Sequence, residues 1–377
     1  MAFLGDTMNF LIGYILPFLL VLTLLVFVHE MGHYLIGRWS GIRILAFSVG
    51  FGPELVGYTD KHQTRWKICA IPLGGYVKFY GDEDAASTPD YGKLEALPAE
   101  ERDRTFPGAA LWKRAATVAA GPIANFILAI AIFAVLFSIY GKQIADPVVA
   151  EVKPDSAAAA AGIQPGDLLV AIDGNPVKTF DDVRRYVSIR PETKIVITIE
   201  RNGSPFDVPM VPRRTEITDQ FGNKVELGII GILTNQETGN FRLQTYGPLE
   251  AVGQGAIESW NIVTGTFKYL SNLVTGRMKA DQLGGPIRVA QASGQMATIG
   301  VVAVLHLAAV LSVSIGLLNL MPVPVLDGGH LMFYAVEAVR GRPVGPAAQD
   351  VAFRIGFAMI LMLMVFATWN DISSLLG

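Results

Sequence analysis

Four stretches of this chain are nearly free of charge and long enough to cross a bilayer. They run over residues 10–36, 115–140, 299–320 and 351–369. A helical span needs about 20 mostly apolar residues. The third stretch carries His306 but no acid, Lys or Arg. The fourth has one charge, Arg354, close enough to its start to snorkel to the interface. Between the first two stretches, in residues 37–112, the pattern shortens. Runs at 44–49, 55–58, 66–70 and 76–80 are β-prone, and Gly50-Phe51-Gly52-Pro53 and Pro72-Leu73-Gly74-Gly75 punctuate them. They predict a hairpin region. It either lies on the membrane surface or offers a strand edge to an extended chain. Residues 82–104 are polar and acid-rich.

The insert between the second and third stretches also reads as α+β. Over 145–215, a first β run at 148–152 is followed by an alanine run ending at Gly162 and by Gln164-Pro165-Gly166-Asp167. A strand at 168–172, a turn at Asp173-Gly174-Asn175-Pro176, an amphipathic helix at 180–187 and a strand at 194–201 come next. Arg201-Asn202-Gly203 turns the chain back. Over 216–298 the pattern is weaker. Residues 255–274 predict an amphipathic helix carrying Trp260, Phe267 and Tyr269, either at the membrane interface or packed on the insert.

Basic residues near the span ends orient the chain. Arg38 and Arg43 follow the first stretch, Lys113 and Arg114 precede the second, and Arg340, Arg342 and Arg354 lie at or before the start of the fourth. This predicts cytoplasmic connections there, with both termini and the insert outside the cytoplasm. No Lys or Arg precedes Leu11, so the first stretch is expected to stay as a span and not to be cleaved as a signal peptide.

Composition agrees with a polytopic membrane protein. Hydrophobic residues make up 51% of the 377 residues and charged residues only 17%, against about 25% charged in a soluble domain. The net charge of -3 gives no footprint for a nucleic-acid partner. Cys69 is the only cysteine, which excludes an internal disulfide and any multi-cysteine metal site.

The chemistry sits at the end of the first stretch, in His29-Glu30-Met31-Gly32-His33. On a helix this spacing puts two imidazoles one turn apart on one face with a carboxylate beside them, which suits a metal ion and a general base. Two histidines leave the site incomplete. A third ligand is needed from another membrane-embedded segment on the same side. Asp327 is the first candidate. It follows Pro322 and Pro324, which break the helix there, and an acid at membrane depth is a functional candidate by default. His330 is its rival. His306 lies too far along its span, Glu337 is expected to pair with Arg340, and His62 is expected at the surface. Glu30 would serve as general base.

With His29-Glu30-x-x-His33 and Asn319-x-x-Pro322-x-Pro324-x-Leu326-Asp327-Gly328, the chain resembles the site-2 proteases. Gly121-Pro122-Ile123-Ala124-Asn125 matches a further element of that family. The insert resembles a PDZ domain, with Gly162-x-x-Pro165-Gly166-Asp167 as its marker. The likeness is nearest to the regulator of sigma-E protease type, although that group often carries two PDZ modules and this chain signals one. The resemblance implies four transmembrane helices, a membrane-associated cytoplasmic β-hairpin region and an extracytoplasmic PDZ-like α+β domain, in a bacterial inner membrane. It implies Zn2+ as cofactor, held by His29, His33 and Asp327. It implies cleavage of transmembrane segments of single-span proteins already cut by another protease, such as anti-sigma factors or remnant signal peptides. Asn319, Pro322, Pro324 and Asn125 would then position the substrate, and the β region from 50 to 78 would present it in extended form. The PDZ-like domain would either bind a peptide or exclude bulky substrates. Two rival readings are a non-catalytic adaptor that binds peptides through that domain, and a metalloprotease of soluble peptides.

Overall fold

The computed structural model describes residues 11–82, 97–218, 224–234, 241–275 and 284–376. Most of the acid-rich stretch after Asp82 lies outside them. The described chain divides into two units. One comprises residues up to Ile132 together with those from Gly284 onward; the other is Phe133–Leu283.

A π-helical turn, Leu11–Ile15, leads into α1, Leu16–Trp39. Pro17, which lacks an N–H, lies where the π-helical turn passes into α1. Val21, Leu25, His29, His33 and Gly37 are buried at steps of four, with Gly32 and Tyr34 buried on either side of His33. They form one stripe along the helix. The histidines are therefore part of the packed face.

β1, Ile44–Thr59, and β2, Arg65–Phe79, form an antiparallel hairpin. The carboxylate of Asp60 closes its turn by accepting from the backbone N–H groups of His62 and Thr64 and from the Trp66 indole. The sequence suggested four separate short strands. Instead they are straight segments of two long strands bent at the glycine-rich motifs. Phe47 lies opposite both Trp66 and Val77, and Tyr58 lies opposite Trp66. The segments therefore stack side by side in the order 54–59, 65–69, 46–49 and 75–79. Residues 75–79 form one margin of this sheet. Phe47, Val77 and Phe79 pack with Tyr34 of α1 into a common core. α2, Leu111–Ile139, begins four residues earlier than its apolar run suggested.

The second unit opens with β3, Lys142–Ala145, β4, Glu151–Val152, and the short α3, Ala157–Ala160. β5, Leu168–Ile172, β6, Asn175–Pro176, and α4, Phe180–Ser188, follow. Then come β7, Ile195–Arg201, and β8, Ser204–Met210. The sheet order is β6-β5-β7-β8. Ile195, Ile197 and Ile199 alternate inward and pack against Val183 and Val187 of α4. A capping box between Thr179 and Asp182 starts that helix. The glycine–proline–aspartate turn is held by Asp167. Its carboxylate accepts from the Gln164 N–H and from the Arg201 guanidinium at 2.6 and 2.7 Å. Burial alone would raise this carboxyl's pKa, but these bonds hold it below the usual range.

Further strands follow: β9, Arg213–Thr218, paired with β10, Lys224–Ile229; β11, Ile232–Leu233, paired with β4; and β12, Phe241–Gln244, paired with β3. α5 runs from Pro248 to Val274, longer than its amphipathic pattern implied. Trp260 and Phe267 are exposed on it.

The chain returns to the first unit through α6, Pro286–Ile299, and α7, Val301–Asn319. The expected third span therefore starts after a break at Gly300, and α6 is an element the hydropathy pattern did not announce. α8, Asp327–Arg340, and α9, Pro346–Leu376, complete the fold. Asp371 near the end of α9 is fully buried and accepts from the N–H groups of Gly285, Ile287 and Arg288 at the start of α6. Among the described residues four helices are long and apolar enough to cross a membrane: Gly13–Trp39, Leu111–Ile139, Val301–Asn319 and Pro346–Ser374. This is a membrane protein.

Candidate metal centre and active site

His29 and His33 stand one turn apart on α1, with ring centroids 4.8 Å apart and ring planes at 84°. Asp327 is the first residue of α8, after a non-helical link from 320 to 326 that contains both prolines. Three donor atoms converge. His29 Nε2 lies 3.2 Å from His33 Nε2 and 3.1 Å from Asp327 Oδ2, and His33 Nε2 lies 3.6 Å from Asp327 Oδ2. Zinc bound at about 2.0–2.1 Å in tetrahedral geometry separates its ligands by about 3.3 Å. The triangle therefore has the size that ion requires. Asp327 Oδ2 is buried and accepts no hydrogen bond. A buried carboxylate oxygen in that state is costly without a cation.

The outer ring nitrogens are occupied. His33 Nδ1 donates to the Thr117 carbonyl at 2.9 Å, which fixes the tautomer and leaves the Nε2 lone pair free for a metal. His29 Nδ1 lies 3.3 Å from the amide of Asn125, whose Oδ1 is buried without a partner. Amide nitrogen and oxygen have nearly the same shape. The orientation that presents Oδ1 to a His29 Nδ1–H satisfies both groups. Thr117 and Asn125 lie on α2, two turns apart. Between them, Gly121 lets the imidazoles press against the helix. A Cβ there would lie 2.3 Å from His33 Nε2 and 2.9 Å from His29 Cε1.

A cavity of about 210 Å³ opens on this cluster. Glu30, Tyr76, Val77, Asn319, Asp327 and His330 help line it. Glu30 thus shares the cavity with the three donors, and the sheet margin at 75–79 borders it. Of the other positions singled out from the sequence, Asn319 reaches the cavity from the end of α7. Pro322 and Pro324 shape the link and do not line the cavity, and Asn125 is fully buried behind His29. His330 lines the cavity outside the donor triangle. His306 lies in the second turn of α7, away from it, and His62 is exposed in the hairpin turn. One expectation is corrected. Glu337 pairs with Arg114 of α2, not with Arg340. Arg114 Nη2 lies 2.5 Å from Glu337 Oε1 and Nη1 3.2 Å from Oε2. Arg340, one turn further along α8, was the sequence neighbour, but packing of α8 on α2 supplies the nearer cation. Thr117 and Gly121 were missed as supports. Gly121 was named within the 121–125 element but without this role, and the i, i+4 spacing of Thr117, Gly121 and Asn125 hinted at a shared face.

The sequence model of peptidase family M50 matches residues 17–363. The chain belongs to that family. It is 76% identical over 377 residues to a protein of Rhizobium meliloti (strain 1021) named "Putative zinc metalloprotease", covering 100% of both chains. It is 39% identical over 378 residues to Metalloprotease MmpA of Caulobacter vibrioides, covering 94% of each. A solved PDZ domain of an SdrC-like protein from Listeria monocytogenes matches 24% of this chain and 87% of its own, at 23% identity and a TM-score of 0.19. This M50 peptidase is a zinc-dependent metalloendopeptidase of the site-2 protease family.

Proposed function

We propose that this peptidase cleaves transmembrane segments of single-span membrane proteins, with His29, His33 and Asp327 holding zinc and Glu30 as general base. The observation that carries the reading is the shared cavity. Glu30, the three convergent donors and the sheet margin at 75–79 all face it.

Zinc in such a site lowers the pKa of water to about 7 and polarises a carbonyl. The chain's own residues do the rest. Glu30 accepts a proton from the attacking water as its oxygen bonds the scissile carbon. It then delivers that proton to the amide nitrogen as the C–N bond breaks. A transmembrane helix hides its carbonyls in hydrogen bonds, so the substrate must be extended before water can attack. Residues 75–79 offer strand pairing for such a segment. Asn319 stands beside it in the cavity, and Pro322 and Pro324 keep the link between α7 and α8 out of helix.

Lys and Arg near the span ends support a cytoplasmic position for the catalytic end of α1, in an inner membrane, with both termini and the PDZ-like unit outside the cytoplasm. Substrates would arrive trimmed by another protease, as remnant signal peptides or anti-sigma-factor stubs. Within the second unit, an apolar cavity of about 330 Å³ lies between α4 and the 228–234 segment. It supports peptide capture by strand addition over simple exclusion by size.

The test is Glu30→Gln in the full-length protein. Turnover of a model single-span substrate should fall by about 10²–10⁴-fold, with bound zinc unchanged. Undiminished cleavage would remove Glu30 from the mechanism. Efficient cleavage of unanchored, unstructured peptides by the wild-type enzyme would overturn the transmembrane substrate class.

A further inference from the structure

The cavity holds one imidazole that the mechanism above does not use. His330 lies three residues after Asp327 in the first turn of α8. Residues at that spacing share a helix face, and both line the same cavity. The ring rests against Phe353 of α9, with centroids 5.3 Å apart and planes at 44°. No hydrogen bond joins its ring nitrogens to another described residue, and the residue lines the cavity.

His330 is also not needed to hold the ion. His29, His33 and Asp327 already supply three ligand atoms lying within 4.8 Å of one another. A fourth protein ligand would close the position a catalytic zinc keeps open for water and substrate. The reaction would nevertheless gain from a further donor. When water adds to the scissile carbon, the carbonyl π pair moves onto oxygen. Preorganised N–H or O–H groups lower the energy of that charge. Ionised Glu30 and Asp327 offer only acceptors. Asn319 and Tyr76 also line the cavity with donors, but His330 alone shares a helical turn with a ligand carboxylate. Its position is therefore fixed relative to the reacting centre.

We propose that His330 is a catalytic residue that donates a ring N–H hydrogen bond to the scissile carbonyl oxygen as that oxygen gains negative charge. No proton is transferred. The bond strengthens as the tetrahedral carbon forms and weakens as the C–N bond breaks. This assignment rests on the reading of Glu30 as base beside a zinc held by His29, His33 and Asp327.

The experiment compares full-length wild type, His330→Ala, His330→Asn, His330→Phe and Glu30→Gln in detergent, on one single-span substrate. Bound zinc is measured by elemental analysis. His330→Ala should lower kcat by about 10²–10³-fold, with zinc content and KM nearly unchanged. His330→Asn, which keeps an N–H donor, should recover at least about tenfold of that loss. His330→Phe, which keeps ring volume without a donor, should recover none. Loss of zinc in the Ala or Asn variant would make His330 a ligand and overturn the proposal. An unchanged kcat, or equal recovery by Phe and Asn, would overturn it as well. If His330→Ala does not fold, the Asn-to-Phe ratio decides by the same criterion. Glu30→Gln separates the two levels. If it is inactive while the His330 variants run at full speed, only the role of His330 falls. If it stays active, the reading of the site falls and this assignment falls with it.

Discussion

Gly121 shows how tightly the candidate metal centre is built. The imidazoles of His29 and His33 occupy the space a side chain would fill at that position. A single methyl group would lie 2.3 Å from His33 Nε2, the nitrogen that faces the other two donors. Neither imidazole can retreat, because His33 is tied to the Thr117 carbonyl and His29 lies against Asn125. Gly121→Ala should therefore displace the ligands. Disturbing the supports of a metal ligand weakens metal affinity by about 10–100-fold. A competition assay with a zinc chelator should read at least that loss, and wild-type affinity in the variant would refute the steric argument. At this scale the sequence could place the two histidines and Glu30 together as candidates, because a helix brings i and i+4 together wherever it occurs. Asp327 was readable only as a candidate. Its distance from His29 depends on how α1 and α8 pack, which no local pattern encodes. The role of Gly121 was invisible, since an absent side chain leaves no chemical signature.

α2 acts as the template of the site. Arg114, Thr117, Gly121 and Asn125 recur at steps of three and four, so they share one face. That face holds His33 through Thr117, His29 through Asn125 and α8 through Arg114. Arg114 also sits over the ring of Tyr334 on α8, 5.1 Å from its centroid. The pair with Glu337 is mostly buried, at 14% and 16% side-chain exposure. Removing one partner of a buried pair strands the other charge and costs about 3–5 kcal/mol. Since this pair keeps some exposure, about 3 kcal/mol is expected for Glu337→Gln. The variant should unfold at lower temperature in detergent, with weaker zinc retention because α8 carries Asp327. The exchange Arg114→Glu with Glu337→Arg should recover part of both. A double-mutant cycle with no coupling would show that the pair does not fix α8. The sequence pointed Glu337 toward Arg340 because neighbours in sequence are the only partners a sequence displays. The β region was legible for a related reason in reverse. Its glycine-rich bends fall where the straight segments end, so four runs were visible although the chain joins them into two strands.

At the scale of the molecule, the four spans were plain because lipid demands long apolar helices. α6 and the pairing of β3 with β12 were not. α6 is short and amphipathic, and β3 finds its partner about a hundred residues away. Orientation is the property of the whole chain that function depends on most, since it decides which side of the membrane the cavity serves. Arg38, Arg43, Lys113, Arg114, Arg340, Arg342 and Arg354 all flank span ends that the charge bias puts on the cytoplasmic side. Each basic residue near the surface contributes about 1 kcal/mol of attraction to an anionic leaflet, an attraction in which Arg114, buried against Glu337, takes little part. The chain offers a direct test because Cys69 is its only cysteine and is buried. Cys69→Ser gives a thiol-free background. Asp207→Cys, on β8, and Lys61→Cys, in the hairpin turn, each then add one exposed thiol. In cells with a permeabilised outer membrane, a membrane-impermeant maleimide should label the thiol at position 207 at once. It should label the thiol at position 61 only after the inner membrane is broken. The reverse pattern would place the catalytic end of α1 on the outer face and require substrates to be cut from that side.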